Sequence, residues 1–276
     1  MSTRSAVAVG LTLLLALLAT LPQASGEPVP RAGTNAATPR DVSPDKAKRW
    51  KPRVRKARRY ARSRVGRVTF SAVDMKGRRS AFDGSHSVPM ASTFKVMLMV
   101  AYLRQPSVAN RKLRDSDHAL LKPMIRQSKN DPATRIRDML GRGPIEALAR
   151  KARMASFRWH SIWGYCRTTA RDQALFMRNL RRFVPERHRH YALHQLAQIM
   201  PSQRWGVGAV NLPGWKIHFK GGWGSGSGAV DHQVALLTNG RHRIGVAVTT
   251  EANVDHEDGK AALRGVFTRL LGGLEG

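Results

Sequence analysis

Ser92 and Lys95 stand three residues apart in the stretch Pro89-Met90-Ala91-Ser92-Thr93-Phe94-Lys95-Val96-Met97-Leu98-Met99-Val100-Ala101-Tyr102-Leu103. On a helix that spacing sets the two side chains next to each other. Pro89 favours extended backbone just before the run, and no Pro or Gly interrupts the residues from Met90 to Leu103, so a helix is expected to start near Ser92. From Val96 to Leu103 the residues are apolar on every face, the mark of a buried helix. A lysine in the first turn of such a helix is desolvated and faces the positive helix end, and both effects lower its pKa. A neutral amine can take the proton of a neighbouring hydroxyl, which makes a serine a nucleophile. The unpaired N–H groups of the same turn can meet a developing oxyanion. Taken alone, Ser-x-x-Lys is also the pattern of an N-cap serine followed by a lysine that snorkels to solvent.

Two later stretches add polar groups in a fixed order. Ser128-Lys129-Asn130 sits in a break between two helical patterns, where a hydroxyl and an amide can point into a cleft or merely cap a helix. Lys220-Gly221-Gly222-Trp223-Gly224 ends a strand in a glycine-rich bend. A cation beside glycines lets a substrate backbone approach closely, although an ordinary hairpin uses the same residues.

The elements that must position these groups are legible as changes of period. Val65 to Met75 alternates like a strand, Lys76-Gly77 is a turn, and Arg78 to Asp83 can pair back. Helical patterns then run over Asp117–Arg126, Pro132–Leu140, Pro144–Ala155, Thr169–Phe183 and Glu186–Met200. Trp215–Lys220, Ala229–Leu237 and Arg243–Thr249 read as strands, and Asp258–Leu271 as a closing helix. Strands at both ends with helices between imply an α/β (α+β) fold: one sheet lobe built from both ends of the chain, and one all-helical lobe.

Ser-x-x-Lys, then Ser-x-Asn, then Lys-x-Gly, in that order, resembles the penicillin-recognising serine enzymes, which include class A β-lactamases and penicillin-binding transpeptidases and carboxypeptidases. Thr168-Thr169-Ala170-Arg171-Asp172 is similar to the segment that follows the class A Ω loop. The resemblance spans roughly residues 45 to 273 and implies a β-lactamase/transpeptidase-like fold with an antiparallel sheet. Carried over, it makes Ser92 the nucleophile that forms an acyl-enzyme and Lys95 its general base. It makes Ser128 a proton relay to the leaving nitrogen, and Asn130 a holder of the substrate amide. Lys220 adds positive potential, Gly222 lets the substrate approach, and the N–H groups of Ser92 and Trp223 form the oxyanion hole.

The sequence also departs from that pattern. Gly221 stands where the family usually has Thr or Ser, and no Lys or Arg occurs from Gly221 to Gly240 to meet a substrate carboxylate. No Asp or Glu occurs between Lys151 and Arg171, so the class A deacylating glutamate has no counterpart. The resemblance therefore implies a serine hydrolase acting on a β-lactam or related amide or ester, poor at deacylation. A D,D-peptidase acting on peptidoglycan is the second reading, and a non-catalytic binder of an anionic cell-wall polymer the third. None of these needs a metal or cofactor.

Composition bears on location. Arg4, the apolar run Ala6–Leu21 and the small residues Ala24-Ser25-Gly26 form the pattern of a signal peptide over residues 1–26, so the chain is expected to be secreted or wall-associated, without a transmembrane segment once mature. Residues 27–64 read as a Pro/Ala-rich linker followed by a basic segment, and residues 65–276 as the hydrolase domain. The formal net charge is +30, and more than half of the residues from Lys46 to Arg67 are Lys or Arg. Such a run suits an anionic cell-wall polymer, and secretion argues against nucleic acid as the partner. Cys166 is the only cysteine, which rules out an internal disulfide, and it reads as a small buried hydrophobe. His188, His190 and His194 have a helical spacing that a metal could use, but no acidic ligand lies beside them.

Overall fold

A computed structural model describes residues 50–224 and 229–274. The signal peptide, the linker and the basic residues up to Arg49 lie outside the described residues. So does most of the Gly224–Gly228 bend.

The chain enters as helix α1 (Val54–Arg62), then strands β1 (Arg67–Val73), β2 (Arg79–Phe82) and β3 (Ser87–Pro89). A short 3-10 turn (Ala91–Thr93) leads into α2 (Phe94–Leu103), followed by α3 (Pro106–Ala109), α4 (Asp115–Arg126), α5 (Asn130–Leu140) and α6 (Arg142–Lys151). Strand β4 (Arg167–Thr169) precedes α7 (Ala170–Arg178), α8 (Leu180–Phe183) and α9 (Arg189–Ala197). The chain closes with β5 (Lys216–Gly224), β6 (Val230–Asn239), β7 (His242–Glu251) and α10 (His256–Leu271). The helical pattern read over Pro144–Ala155 ends early, at Lys151, and the pattern over Thr169–Phe183 breaks at Asn179.

The main sheet has the order β2-β1-β7-β6-β5, antiparallel throughout, so strands from both ends of the chain meet at its centre. Phe70 of β1 lies opposite Phe82 on one side and Val248 on the other, and these apolar pairs hold the register. Helix α7 packs so closely on β7 that a Cβ at Gly245 would fall 2.1 Å from the Ala174 carbonyl oxygen. The helical lobe gathers around α2, in which every residue from Phe94 to Leu103 is buried, Lys95 among them. Each large apolar side chain so buried contributes about 1.5–3 kcal/mol, enough to force a charged residue into the same helix face.

A second, two-stranded sheet pairs β3 with β4, with Pro89 opposite Arg167. The Met90 N–H then donates to the Cys166 carbonyl at 2.7 Å. These bonds fasten the segment ending at Cys166 beside the turn that carries Ser92.

The folded domain starts earlier than residue 65, the boundary expected from sequence. Helix α1 is part of it: Ala57 and Ala61, one turn apart, are buried, and so is Trp50 just before them. The Arg53 N–H donates to the Leu270 carbonyl at 3.1 Å, Tyr60 Oη donates to Ala261 O at 3.2 Å, and Arg64 pairs with Asp258. The sequence reads this basic segment as helical on either side of Pro52, with Trp50, Val54 and Tyr60 as weak apolar contacts, and its Arg and Lys runs hide how firmly it packs. Removing residues 50–64 uncovers one face of α10 and an indole-sized gap. Losing a buried aromatic typically costs about 3–5 kcal/mol, and at this size each kcal/mol moves the melting temperature by about 2–4 °C. The truncated protein should therefore melt on the order of 10 °C lower in a calorimetric scan; an unchanged melting point would show that α1 is only an appendage.

Candidate active site

The 3-10 turn Ala91–Thr93 carries Ser92 at the foot of α2, and Lys95 lies one turn further on. Ala91 has φ 45°, in the left-handed region that a non-glycine residue enters only under constraint. Lys95 Nζ is 3.0 Å from Ser92 Oγ, 2.8 Å from Asn130 Oδ1 and 3.2 Å from Ser128 Oγ, and it also donates to the Ser128 carbonyl. Ser128 has φ 60°, and this turn is what aims both its carbonyl and its hydroxyl at the amine. Burial lowers the Lys95 pKa to about 7. A neutral amine with two N–H bonds can donate to Asn130 and to the Ser128 carbonyl while its lone pair accepts the Ser92 proton.

Lys220, in β5, reaches the same hydroxyl from the other side. Its Nζ is 2.9 Å from Ser128 Oγ and 2.7 Å from the Gly221 carbonyl oxygen. The group is completely enclosed, and burial first, then repulsion from Lys95, pushes its pKa far down. The sequence reading gave Lys220 an action through potential at longer range; the structure sets it in direct hydrogen bond with Ser128. Among the described residues neither lysine forms an ion pair with a carboxylate.

Gly222 presses β5 against the turn of the nucleophile. A Cβ there would lie 2.7 Å from the Ser92 backbone nitrogen and 2.8 Å from that of Thr93. Trp223 follows at the mouth of the cleft, 36% exposed. Ser92, Asn130, Trp163, Gly164, Tyr165 and Trp223 line a cavity of about 210 Å³. Seven expected site residues, Ser92, Lys95, Ser128, Asn130, Lys220, Gly222 and Trp223, thus come from four elements to one place.

Trp163, Trp205 and Gln233 were not singled out from sequence, whereas His160 and Tyr165 stand out there as side chains of the acid-free stretch. The Trp163 ring stands 4.9 Å from Lys95 Nζ, so the segment after α6 shows the amine an aromatic face. His160 is exposed, its Nδ1 accepts the Ile162 N–H at 3.0 Å, and its ring leans on Tyr165. Trp205 crowds Gly221: a Cβ at that position would lie 3.0 Å from the Trp205 ring, so a larger side chain there would have to push the indole aside. Gln233, buried opposite Gly221 on β6, holds Trp205 in place by donating to its carbonyl at 2.8 Å and accepting the Val207 N–H at 2.7 Å.

Behind Trp223 stands His256, stacked on it at 5.6 Å between ring centroids and edge-on to Trp205 at 5.5 Å. Its Nδ1 is 2.6 Å from Asp231 Oδ1, a carboxyl group whose pKa burial raises. Nothing local in the sequence links residues 205, 223, 231 and 256; only the sheet and the start of α10 bring them together.

Cys166 and His188 resolve as packing, while His190 and His194 are exposed. Cys166 is buried, its thiol pKa raised to about 11 by desolvation, and its Sγ accepts the His160 N–H at 3.3 Å. The His188 ring is buried with Nε2 3.0 Å from the Val108 carbonyl oxygen, while His190 and His194 stack on each other. Among the described residues no group of three or more His, Cys, Asp or Glu could hold a metal ion.

No family model matches the chain, and no curated protein matches it. Solved structures do. A β-lactamase from Sphaerobacter thermophilus superposes with a TM-score of 0.70 at 20% identity, over 80% of this chain and 96% of that one. An ancestral class A β-lactamase gives 0.68 at 21% identity, over 79% and 98%. A β-lactamase from Xanthomonas campestris gives 0.67 at 19% identity, over 79% and 95%. With its five-stranded antiparallel sheet, its buried central helix and the order of its elements, the chain has the fold of the class A β-lactamases.

Proposed function

We propose that this protein is a β-lactamase-like serine hydrolase that acylates on Ser92 and releases the acyl group slowly. The observation that carries the reading is the continuous chain Ser92 Oγ–Lys95 Nζ–Ser128 Oγ–Lys220 Nζ, in which no contact exceeds 3.2 Å. Ser92 Oγ attacks the carbonyl carbon of a β-lactam or a peptidoglycan-derived amide or ester, and its proton passes to the Lys95 lone pair. The carbonyl oxygen becomes an oxyanion between the N–H groups of Ser92 and Trp223. The proton then travels through Ser128 Oγ to the leaving nitrogen or oxygen, the bond to carbon breaks, and an ester on Ser92 remains. Asn130 serves twice, orienting Lys95 and offering its amide N–H₂ to the substrate.

Hydrolysis of that ester needs a base for the attacking water. Trp163 and Tyr165 occupy the segment where class A enzymes carry a carboxylate, and His160 is committed to its own backbone. Among the described residues Lys95 is then the base left in the cleft, on the face already used by Ser92. Gly221, crowded by Trp205, lacks the hydroxyl that would meet a substrate carboxylate, so the first binding step is weak as well.

Because neutral Lys95 is the base, protonation at low pH stops the reaction. The acylation rate should rise with pH and reach half its plateau near pH 7, in line with the lowered Lys95 pKa. Lys95→Met should lose about 10²–10⁴-fold in acylation and this pH dependence with it. Lys220→Ala should lose less and keep the midpoint. Stopped-flow with a chromogenic ester checks both; equal losses, or a midpoint that stays in Lys95→Met, would reassign the base.

Exposure to a fluorescent penicillin or an ester acyl donor should leave a stable mass increment on Ser92, absent in Ser92→Ala. Losing the deacylation base slows that step by about 10²–10⁴-fold, so the adduct should persist over many minutes in intact-mass spectra. Rapid turnover without an adduct would overturn the slow-release reading.

A further inference from the structure

A second site lies between α1 and α10 and shares no lining residue with the Ser92 cleft. Arg55, Lys56, Arg59, Tyr60 and Ser63 of the α1 segment, with Arg269 of α10, line a groove of about 510 Å³. The Arg269 guanidinium lies 4.0 Å from the centre of the Tyr60 ring. Four cations therefore share one concavity, and one of them comes from the far end of the chain.

Arg269 also donates to the Gly265 carbonyl at 3.0 Å, but no carboxylate pairs with any of the four among the described residues. No Asp or Glu occurs from Lys46 to Arg67, and among the described residues the ion pairs of this stretch are Arg64–Asp258 and Arg67–Asp83, both outside the groove. The first turn of α1 carries Arg55 and Lys56 and no acid, opposite to what a helix N-terminus favours. Like charges held together on a folded surface repel, and an anionic partner offsets that cost. Arg58 and Arg62, also exposed, extend the charge along the helix with about one step per turn, ~5.4 Å.

The surroundings select among polyanions. The Tyr60 ring has Arg269 at 4.0 Å and Arg64 at 5.8 Å, so it offers no bare face on which a nucleobase could stack. Val65 is the one exposed large apolar residue among the described residues of the segment, too little to enter a bilayer. Arginine forks match the paired free oxygens of a phosphodiester. We propose that the groove between α1 and α10 binds a linear phosphodiester polymer without bases, of the glycerol-phosphate kind, and so retains the enzyme on an anionic surface.

Binding of a defined poly(glycerol phosphate) to the full chain, measured at several salt concentrations, tests this. Arg55→Gln/Lys56→Gln/Arg59→Gln should weaken binding at least tenfold and flatten the salt dependence by about two in log–log slope, since each charge on a flexible polyanion contributes about 0.7. Arg269→Gln alone should weaken it several-fold. Arg181→Gln/Arg182→Gln/Arg187→Gln, exposed positions elsewhere that remove the same charge, should change it less than twofold. Acylation of Ser92 should be the same in all variants, which shows that they fold. Equal losses from the two triple variants would mean that net charge alone binds. Tighter binding to single-stranded DNA, to poly-glutamate or to anionic vesicles at matched charge would overturn the choice of partner.

Discussion

Two buried amines on one hydroxyl, neither paired with a carboxylate among the described residues, set the terms for the rest of this molecule. Lys95 and Lys220 converge on Ser128 Oγ, and both amines are enclosed. Two ammonium groups at such distances in a medium of low dielectric would repel strongly, so the cluster holds less charge than its composition suggests. For Lys95 it is burial that brings the pKa down to about 7. That lowering depends on the apolar sheath of α2, which removes water from the amine, while the left-handed backbone at Ser128 points two acceptors inward and fixes where the amine sits. Strain of that kind costs about 1–3 kcal/mol per residue and survives only where the surroundings over-determine it.

Around this cluster, aromatic rings stand where the resemblance leads one to look for polar groups. Trp163 faces Lys95, Trp205 covers Gly221, and Trp223 closes the cleft with His256 and buried Asp231 behind it. An indole can stabilise a cation through its face but cannot accept a proton from water. The same substitution of ring for polar group supports the proposed reading, in which Ser92 acylates and the acyl group leaves slowly. Gly221 packs closely under Trp205, and Trp205 in turn is held by Gln233 from the next strand. The departures from the β-lactamase pattern are coupled, not scattered.

The excess of positive charge falls into separate parts. Inside the cleft, burial suppresses it. On α1, solvent keeps it, and the small residues Ala57 and Ala61 give the helix a narrow seam on α10 while its other faces stay cationic. A long basic run is thus both structural and surface-forming. The sequence reading gave it chiefly the second part, that of a basic run suited to an anionic cell-wall polymer.

Local pattern alone was enough to indicate the two lobes, because α2 is apolar on every side and the strand stretches lie at the two ends of the chain, and neither feature depends on distant residues. Ser92, Lys95, Ser128, Asn130, Lys220, Gly222 and Trp223 were legible because each sits in a short motif. The absence of an acid between Lys151 and Arg171 was legible for the same reason. Only the tertiary structure decided that Lys220 touches Ser128, that Trp205 crowds position 221, that His256 backs Trp223 over Asp231, and that Arg269 completes the α1 groove. These pairings join residues brought together by sheet register and helix packing, forces that act through space and leave no spacing along the chain to read.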